Sequence, residues 1–372
     1  MEILSKEANA RICKFKTRHG FIETPFFMPV ATKASVKHLS SIELENIQVP
    51  AIISNSLVLY LRPGLDVIKK FKGLHNFMNF HNVIFTDSGG FQMLRPAFLI
   101  NYNEQGINFK SPFDGKKFNF TPESSMQVQE KINADVAMSL DNVPEYGKDY
   151  ESVKESVKLT HLWLDRCIKA HKKNQEGKKE SNKQLLFGIT QGSIFPDLRK
   201  KSIDFLNKKD IDGIALGGLC IGESKKQMFD SIKLHAKYLR KDKVKYLMGV
   251  GSPPDIVNSV NEGIDIFDSV FPTQNARHGN LFTSKGKLHI LRKEFLKDNK
   301  PIDENCSCYV CRNYSRSYIQ YQLKFKEGLA YKLTTYHNIH YITKLMEQIK
   351  QSIKENSFKK FRKDFLKKWK EK

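Results

Sequence analysis

The sequence predicts an α/β protein built as a (β/α)8 TIM barrel. Apolar strand-like runs alternate with amphipathic stretches, and that alternation gives a parallel sheet with helices outside. The units span about 250 residues, the usual size of such a barrel. Residues able to do chemistry stand at the C-terminal ends of separate runs: Asp87, Asp141, Gln191, Gly217 with Gly218, Gly249 with Gly251, and Asp268. In a barrel those ends converge on one face, whereas an open doubly wound sheet gathers its site at one switch point.

In chain order the strand-like runs are VPAIISNS, NVIFTDSGG, ADVAMSLDN, QLLFGITQGS, DGIALGGLC, KYLMGVGSP and GIDIFDSVFP. Helix-like segments lie between them, among them PESSMQVQEKIN, SVKESVKLTHLWLDRCIKAHKK, PDLRKKSIDFLNKK, SKKQMFDSIKLHAKYLRK and PPDIVNSVNEG. Residues 101–120 read as a β-hairpin insertion whose turn signal is Asp114-Gly115. Residues 172–184 read as an exposed polar loop. In the C-terminal run KKFRKDFLKKWKEK, Phe361, Phe365, Leu366 and Trp369 recur at helical spacing, so this helix docks an apolar face and exposes its lysines. The expected organisation is one barrel domain over residues 1–372.

The 372 residues carry 62 Lys+Arg against 40 Asp+Glu, a formal net charge of +22. That surplus points to a polyanionic partner, nucleic acid ahead of anionic lipid. A bilayer is crossed by about 18 or more consecutive apolar residues, and the sequence has no such run. MEILSKEANARICKF has no apolar signal segment, so the expected compartment is the cytosol.

Cys13, Cys167 and Cys220 are isolated, while Cys306, Cys308 and Cys311 form the cluster CSCYVC. That distribution suits a metal site in a reducing compartment, not a disulfide framework. Three thiolates with one more ligand make a closed tetrahedral zinc shell, which is structural because no position stays open. His337 and His340, in TTYHNIHY, are both candidates for the fourth ligand.

Asp268 follows Ile266 and Phe267 and caps a buried run, whereas Asp265 precedes them. One such Asp can be a helix cap or a turn residue. Two at separate strand ends suggest a nucleophile and a general acid/base. Asp141 is a third, and a carboxylate can also read a base by accepting from its ring and amino N–H groups. Gln191 and the backbone N–H of Gly218 could meet the opposite carbonyl, since Gly217 and Gly218 let the main chain come close.

Taken in order, DSGGFQ, GITQGS, ALGGLCIGE, YLMGVGSP, FDSVFPTQNARHG and CSCYVC…YHN closely resemble the tRNA-guanine transglycosylases, also called queuine tRNA-ribosyltransferases, of the bacterial and eukaryotic catalytic type. The similarity runs from TPFFMPVATKASVKHL to YHNIHY. It implies a single (β/α)8 barrel catalytic domain over residues 1–372 with an inserted small zinc-binding subdomain at about residues 290–340, and exchange of the wobble guanine in tRNAs with a GUN anticodon for a 7-deazaguanine, in queuosine modification, by a homodimer with one structural Zn2+ per chain. It implies that Asp268 is the nucleophile and Asp87 the proton acceptor. Asp141, Gln191 and Gly218 would read the guanine edge, with Ser88, Gly89, Gly90 and Phe91 completing the substrate loop. Met248 would cover the other purine face, and Glu223 matches the acid behind the GGL loop. Gly249, Val250, Gly251, Ser252, Pro253, Pro254 and Asp255, and then Thr273, Gln274, Asn275, Ala276 and Arg277, match RNA-holding segments. The family's zinc histidine lies at His337.

Such an exchange is a retaining glycosyl transfer, which uses a carboxylate nucleophile and a second acid/base group. The target nucleotide must turn out into the pocket, at low cost from a single-stranded loop. Gln274 departs from the family's usual Arg there, which puts one anticodon contact in doubt. Asn142-Val143 leans to the queuine-using type, while the bulk of Ile221 favours the smaller 7-aminomethyl-7-deazaguanine, with queuine next. Two rivals exist. A sugar-processing barrel explains paired carboxylates but not the charge, the cysteines or only 2 Trp. A non-catalytic tRNA-binding subunit would lack one carboxylate, and both are present.

Overall fold

Each barrel strand is short and carries apolar residues on both faces, because one face fills the lumen and the other meets helices. In the computed structural model, which describes residues 1–371 apart from the side chains of Phe91, Gln92 and Glu371, eight such strands run parallel. They are β1 (Phe26–Pro29), β2 (Ala51–Asn55), β3 (Val83–Asp87), β4 (Val136–Met138), β5 (Leu185–Thr190), β6 (Gly213–Leu216), β7 (Val244–Leu247) and β8 (Ile266–Ser269). Neighbours pair in sequence order from β2 to β8, and β8 pairs with β1. The ring closes where Val30 bridges Ile53, with Ala31 N–H donating to Ile53 O at 2.7 Å. The sequence listed seven strand units. The one it omitted, β1, is four residues long, ends in Pro29 and is followed by only a short helix, Ser41–Asn46, so it lacks the strand-helix alternation.

The period of two is visible along β3. Val83 and Phe85 belong to the lumen core, while Ile84 belongs to the core beneath the helices. Rings fill the lumen: Phe85 meets Phe187 edge-on at 5.6 Å, Tyr246 at 6.2 Å and Phe26 at 6.3 Å. Gly213 makes room, since a Cβ there would stand 2.4 Å from the Phe187 ring. Phe85→Ala is expected to cost about 3–5 kcal/mol, as buried Phe truncations do. A urea titration measures it, and a loss below about 1 kcal/mol would mean the lumen repacks.

The N-terminal strands Glu2–Glu7, Ala10–Thr17 and Gly20–Glu23 form an antiparallel sheet anchored at the N-terminal end of the barrel. Arg11 donates to both oxygens of buried Asp265, at 2.9 and 2.6 Å. Asp265, the alternative to Asp268, is therefore a structural partner at the end opposite the mouth. The insertion after β3 is a three-stranded meander, not a single hairpin: Leu99–Asn103, Gly106–Lys110 and Lys117–Phe120 pair in order. Gly115, at φ 71°, turns the second strand into the third as Asp114-Gly115 suggested. The helix Tyr150–Gln175 runs further than its pattern implied, into the stretch read as loop.

After β8 the chain leaves the barrel. The hairpin Asn280–Thr283 and Gly286–His289 leads to a small separate core containing Leu281, Ile290, Ile302, Val310, Ile319 and Leu333. The helix Gly328–Lys354 begins in that core and ends on the barrel, where Ile342, Leu345, Ile349 and Ile353 are buried. The last helix, Phe358–Lys368, stacks Phe358, Phe361, Phe365 and Trp369 along one face, while Lys359, Lys363 and Lys367 are exposed.

Candidate active site

Each barrel strand delivers its last residues to one mouth. Asp87 ends β3 and is half-buried there. Its Oδ2 accepts from Asn55 Nδ2 at 3.0 Å, and its Oδ1 from the N–H groups of Ser56 (3.3 Å) and Gly89 (3.1 Å). Gly89 takes φ 75°, and a Cβ there would lie 2.4 Å from the Leu57 Cβ. The double glycine is therefore required by the turn and by close packing. Asp268 lies in β8, and its Oδ1 accepts from the Tyr246 hydroxyl at 2.5 Å and from Gly249 N–H at 3.1 Å. Both bonds fall on one oxygen, Oδ1. Burial pushes the Asp87 carboxyl up to about 7, and the charge of Asp268 adds to the shift. Burial raises Asp268 as well, opposed by its two donors.

Asp141 follows β4. Its Oδ2 accepts from Gln191 Nε2 at 2.7 Å and its Oδ1 from Ser88 Oγ at 3.4 Å. Burial pushes it up to about 6. The Gln191 Oε1 is buried without a partner among the described residues. It lies against Gly218, where a Cβ would come within 2.4 Å of it. Glu223 closes the loop after β6, accepting from the N–H groups of Cys220 (2.5 Å) and Ile221 (3.1 Å). Gly90 is excluded from carrying a side chain by the Asp141 carbonyl, 2.8 Å from its would-be Cβ. Met248, half-buried, packs on the lumen core beside Tyr246.

The cysteine cluster meets the long helix. His337 Nδ1 lies 3.9 Å from Cys306 Sγ, 3.5 Å from Cys308 Sγ and 3.4 Å from Cys311 Sγ. A tetrahedral zinc with ordinary bond lengths sets such N···S separations at about 3.6 Å, so these four residues fit one ion. His337 Nε2–H donates to Phe282 O at 2.7 Å, which turns the Nδ1 lone pair toward the sulfurs. His340 is not grouped with all three sulfurs. Its Nδ1 is 3.7 Å from Cys306 Sγ, and it lines a cavity of about 470 Å³ with Asp303, Tyr341 and Lys344. A second ligand-like group, His19, His75 and Asp135, precedes β4. There Asp135 already accepts from the His19 imidazole and from the N–H groups of Ile84 and His19, while His75 Nε2, 3.1 Å from Asp135, bonds the Asn82 carbonyl, which makes the group a tie between the N-terminal sheet and the barrel.

A family model described as Queuine tRNA-ribosyltransferase matches residues 6–371. The chain belongs to the queuine tRNA-ribosyltransferase family. Curated proteins of that name cover the chain almost end to end. One from Thermoanaerobacter sp. (strain X514) is 46% identical over 361 residues, 97% of this chain and 94% of its own. One from Halothermothrix orenii is 44% identical over 369 residues, 99% and 97% of the two chains. One from Bacillus subtilis is 42% identical over 364 residues, 98% and 94%.

In this queuine tRNA-ribosyltransferase family member, Asp87, Asp141, Gln191, Gly217, Gly218 and Asp268 all come from strand ends or the turns after them. The Phe91 side chain lies outside the described residues. Gly249 to Ser252 form the loop after β7, and Pro253, Pro254 and Asp255 open the helix Pro253–Asn261. Asp255 accepts from Lys225 at 3.2 Å. Thr273 to Arg277 lie in the helix Phe271–Arg277 after β8. In that helix Thr273 and Ala276 are buried and Gln274 is exposed. Sequence reasoning missed Asn55, Tyr246 and Arg199. The strand-end rule would have found Asn55, the last residue of β2. Tyr246 sits inside β7 and Arg199 inside a helix, where no local pattern sets them apart from core residues.

Proposed function

We propose that this enzyme exchanges the wobble guanine of tRNAs with a GUN anticodon for a 7-deazaguanine, by double displacement through a covalent enzyme–RNA intermediate. The observation that carries it is the pairing of Asp268, with one oxygen held by Tyr246 and Gly249, with Asp87, whose carboxyl keeps a proton up to about 7. Asp268 Oδ2 attacks the ribose anomeric carbon, the bond to guanine breaks, and its electron pair leaves with the base, which takes up a proton from water. The incoming base gives its ring proton to Asp87 and attacks the same carbon, which releases the Asp268 carboxylate, and Asp87 then returns the proton to water. Asp141 and Gln191 receive the base edge, with Ser88, Gly89 and Gly90 shaping the floor, Phe91 as a stacking candidate and Met248 on the other face. The loop Gly249–Asp255 and the helix Phe271–Arg277 hold the RNA, and the Lys and Arg surplus suits its phosphates.

The same reading takes Cys306, Cys308, Cys311 and His337 as ligands of one structural Zn2+ in a subdomain at about residues 290–340. That ion has four protein ligands and supplies rigidity, not chemistry. It takes the working unit as a homodimer. Ile221 favours 7-aminomethyl-7-deazaguanine over queuine as the incoming base, a discrimination of modest size for a hydrophobic pocket.

The test is exchange of labelled guanine into tRNA, with a denaturing gel to trap the RNA adduct. Absence of both in the wild-type protein overturns the reading. The pH dependence is a second test. Asp87 acts as a base only when ionised, so kcat/KM is expected to fall as the pH drops below about 7 and to level off above it. Burial pushes Asp141 up to about 6, so loss of its charge steepens the fall below that pH. A kcat/KM flat from about pH 5 to 8 in the wild type removes Asp87 from the proton transfer.

A further inference from the structure

We propose that Arg199 is a positioning residue, which turns the N–H groups of Gly218 and Leu219 into the pocket as a paired donor for the ring carbonyl of the purine. The proposal rests on the base-exchange reading and adds a residue that reading does not use.

Arg199 lies in the helix Pro196–Asn207 and is completely buried. Its guanidinium donates to three backbone carbonyls: Nε to Ser193 O at 2.8 Å, Nη1 to Gly217 O at 2.7 Å and Nη2 to Gly218 O at 2.9 Å. Among the described residues no carboxylate accepts from it. Only the charge of Glu223 offsets its burial; a buried cation that no carboxylate bonds is costly, and a neutral donor would hold the same carbonyls more cheaply. What a guanidinium adds is a rigid planar fork, able to grip two consecutive carbonyls at once, with a full positive charge behind them.

A trans peptide places its C=O and N–H on opposite sides. With the carbonyls of Gly217 and Gly218 both turned onto Arg199, the N–H groups of Gly218 and Leu219 point the other way. Neither N–H has an acceptor among the described residues. The unpartnered Oε1 of Gln191 lies against Gly218, so these polar groups share one space beside Asp141. Gly217 and Gly218 must lack side chains for this, since a Cβ would stand 2.5 Å from Ile189 Cγ2 or 2.4 Å from Gln191 Oε1.

When the glycosidic bond breaks, its electron pair spreads through the purine onto the ring carbonyl oxygen. Two fixed donors at that oxygen, backed by a buried positive charge, favour that state more than the neutral base. The Arg199 site therefore assists departure of guanine without touching it.

The experiment compares guanine with 2-aminopurine, which keeps the amino group and lacks both the ring carbonyl and the N1 hydrogen, as ligands and as competitors of exchange into tRNA. The wild-type enzyme is expected to prefer guanine by about 100-fold or more, since the analogue loses the pair of carbonyl donors and the N1–H that faces Asp141. Arg199→Gln is expected to weaken guanine about tenfold or more and 2-aminopurine less than about twofold, with Arg199→Lys between. Binding of tRNA to both variants should stay at the wild-type level. Equal losses for the two bases, or no loss for guanine, would overturn the proposal. If the variants do not fold, equal wild-type affinity for the two bases overturns it alone. A wild-type protein that exchanges no base would instead sink the functional reading.

Discussion

Asp268→Asn is expected to abolish base exchange while tRNA binding stays near the wild-type level. The substitution is nearly isosteric, and the new side chain keeps an oxygen to accept from Tyr246 and Gly249, which now bond Oδ1 at 2.5 and 3.1 Å. What it loses is a nucleophilic oxygen, so the fall should reach about 10⁴-fold or more, as for removal of other covalent nucleophiles. Fold stability should not fall, because a buried carboxylate whose proton affinity is raised by burial is replaced by a neutral group. The measurement is labelled-guanine exchange, with filter binding of tRNA and a denaturing gel for the adduct. Exchange within about tenfold of wild type, or an adduct that persists in the variant, would move the nucleophile elsewhere.

Cys308→Ser is expected to lower bound zinc well below one ion per chain and to cut exchange by about 100-fold or more, the upper end for damage to metal shells. The reason is connectivity. His337 donates to Phe282 O, and its neighbour Asn338 donates to Pro272 O and Asn280 O, each at 3.0 Å. Asn338 Oδ1 also accepts from Phe282 N–H at 3.0 Å. One turn of the long helix therefore holds both the metal group and the helix Phe271–Arg277, which starts two residues after β8 ends. Metal binding by such a shell is folding free energy for the part it organises. Hydrogen exchange should speed up over residues 271–340 and stay slow in the barrel strands. One zinc ion per chain by elemental analysis, or unchanged protection in that segment, would refute this.

Much of the fold was readable because the information is local. Strand and helix alternation reports a parallel sheet, and Cys306, Cys308 and Cys311 sit close enough in the chain to share an ion whatever surrounds them. The omitted strand β1 is the counterexample: four residues, FFMP, without a following long helix, become a strand only because β8 offers its edge and Val30 closes the ring. The meander after β3 was legible at its Asp114-Gly115 turn and not at its first turn, where Glu104 and Gln105 carry no strong turn signal.

By itself the sequence determined the barrel class, the carboxylates at strand ends and the cysteine cluster, since each follows from residue type and short-range spacing. Only the tertiary structure decided what those residues can do. It put Tyr246 on Asp268 and Asn55 on Asp87, each from the preceding strand of the barrel. It placed His337, and not His340, against all three sulfurs. It set the proton affinity of Asp87, because burial and the charge of a second carboxylate depend on what surrounds the group in space and not on its neighbours in the chain.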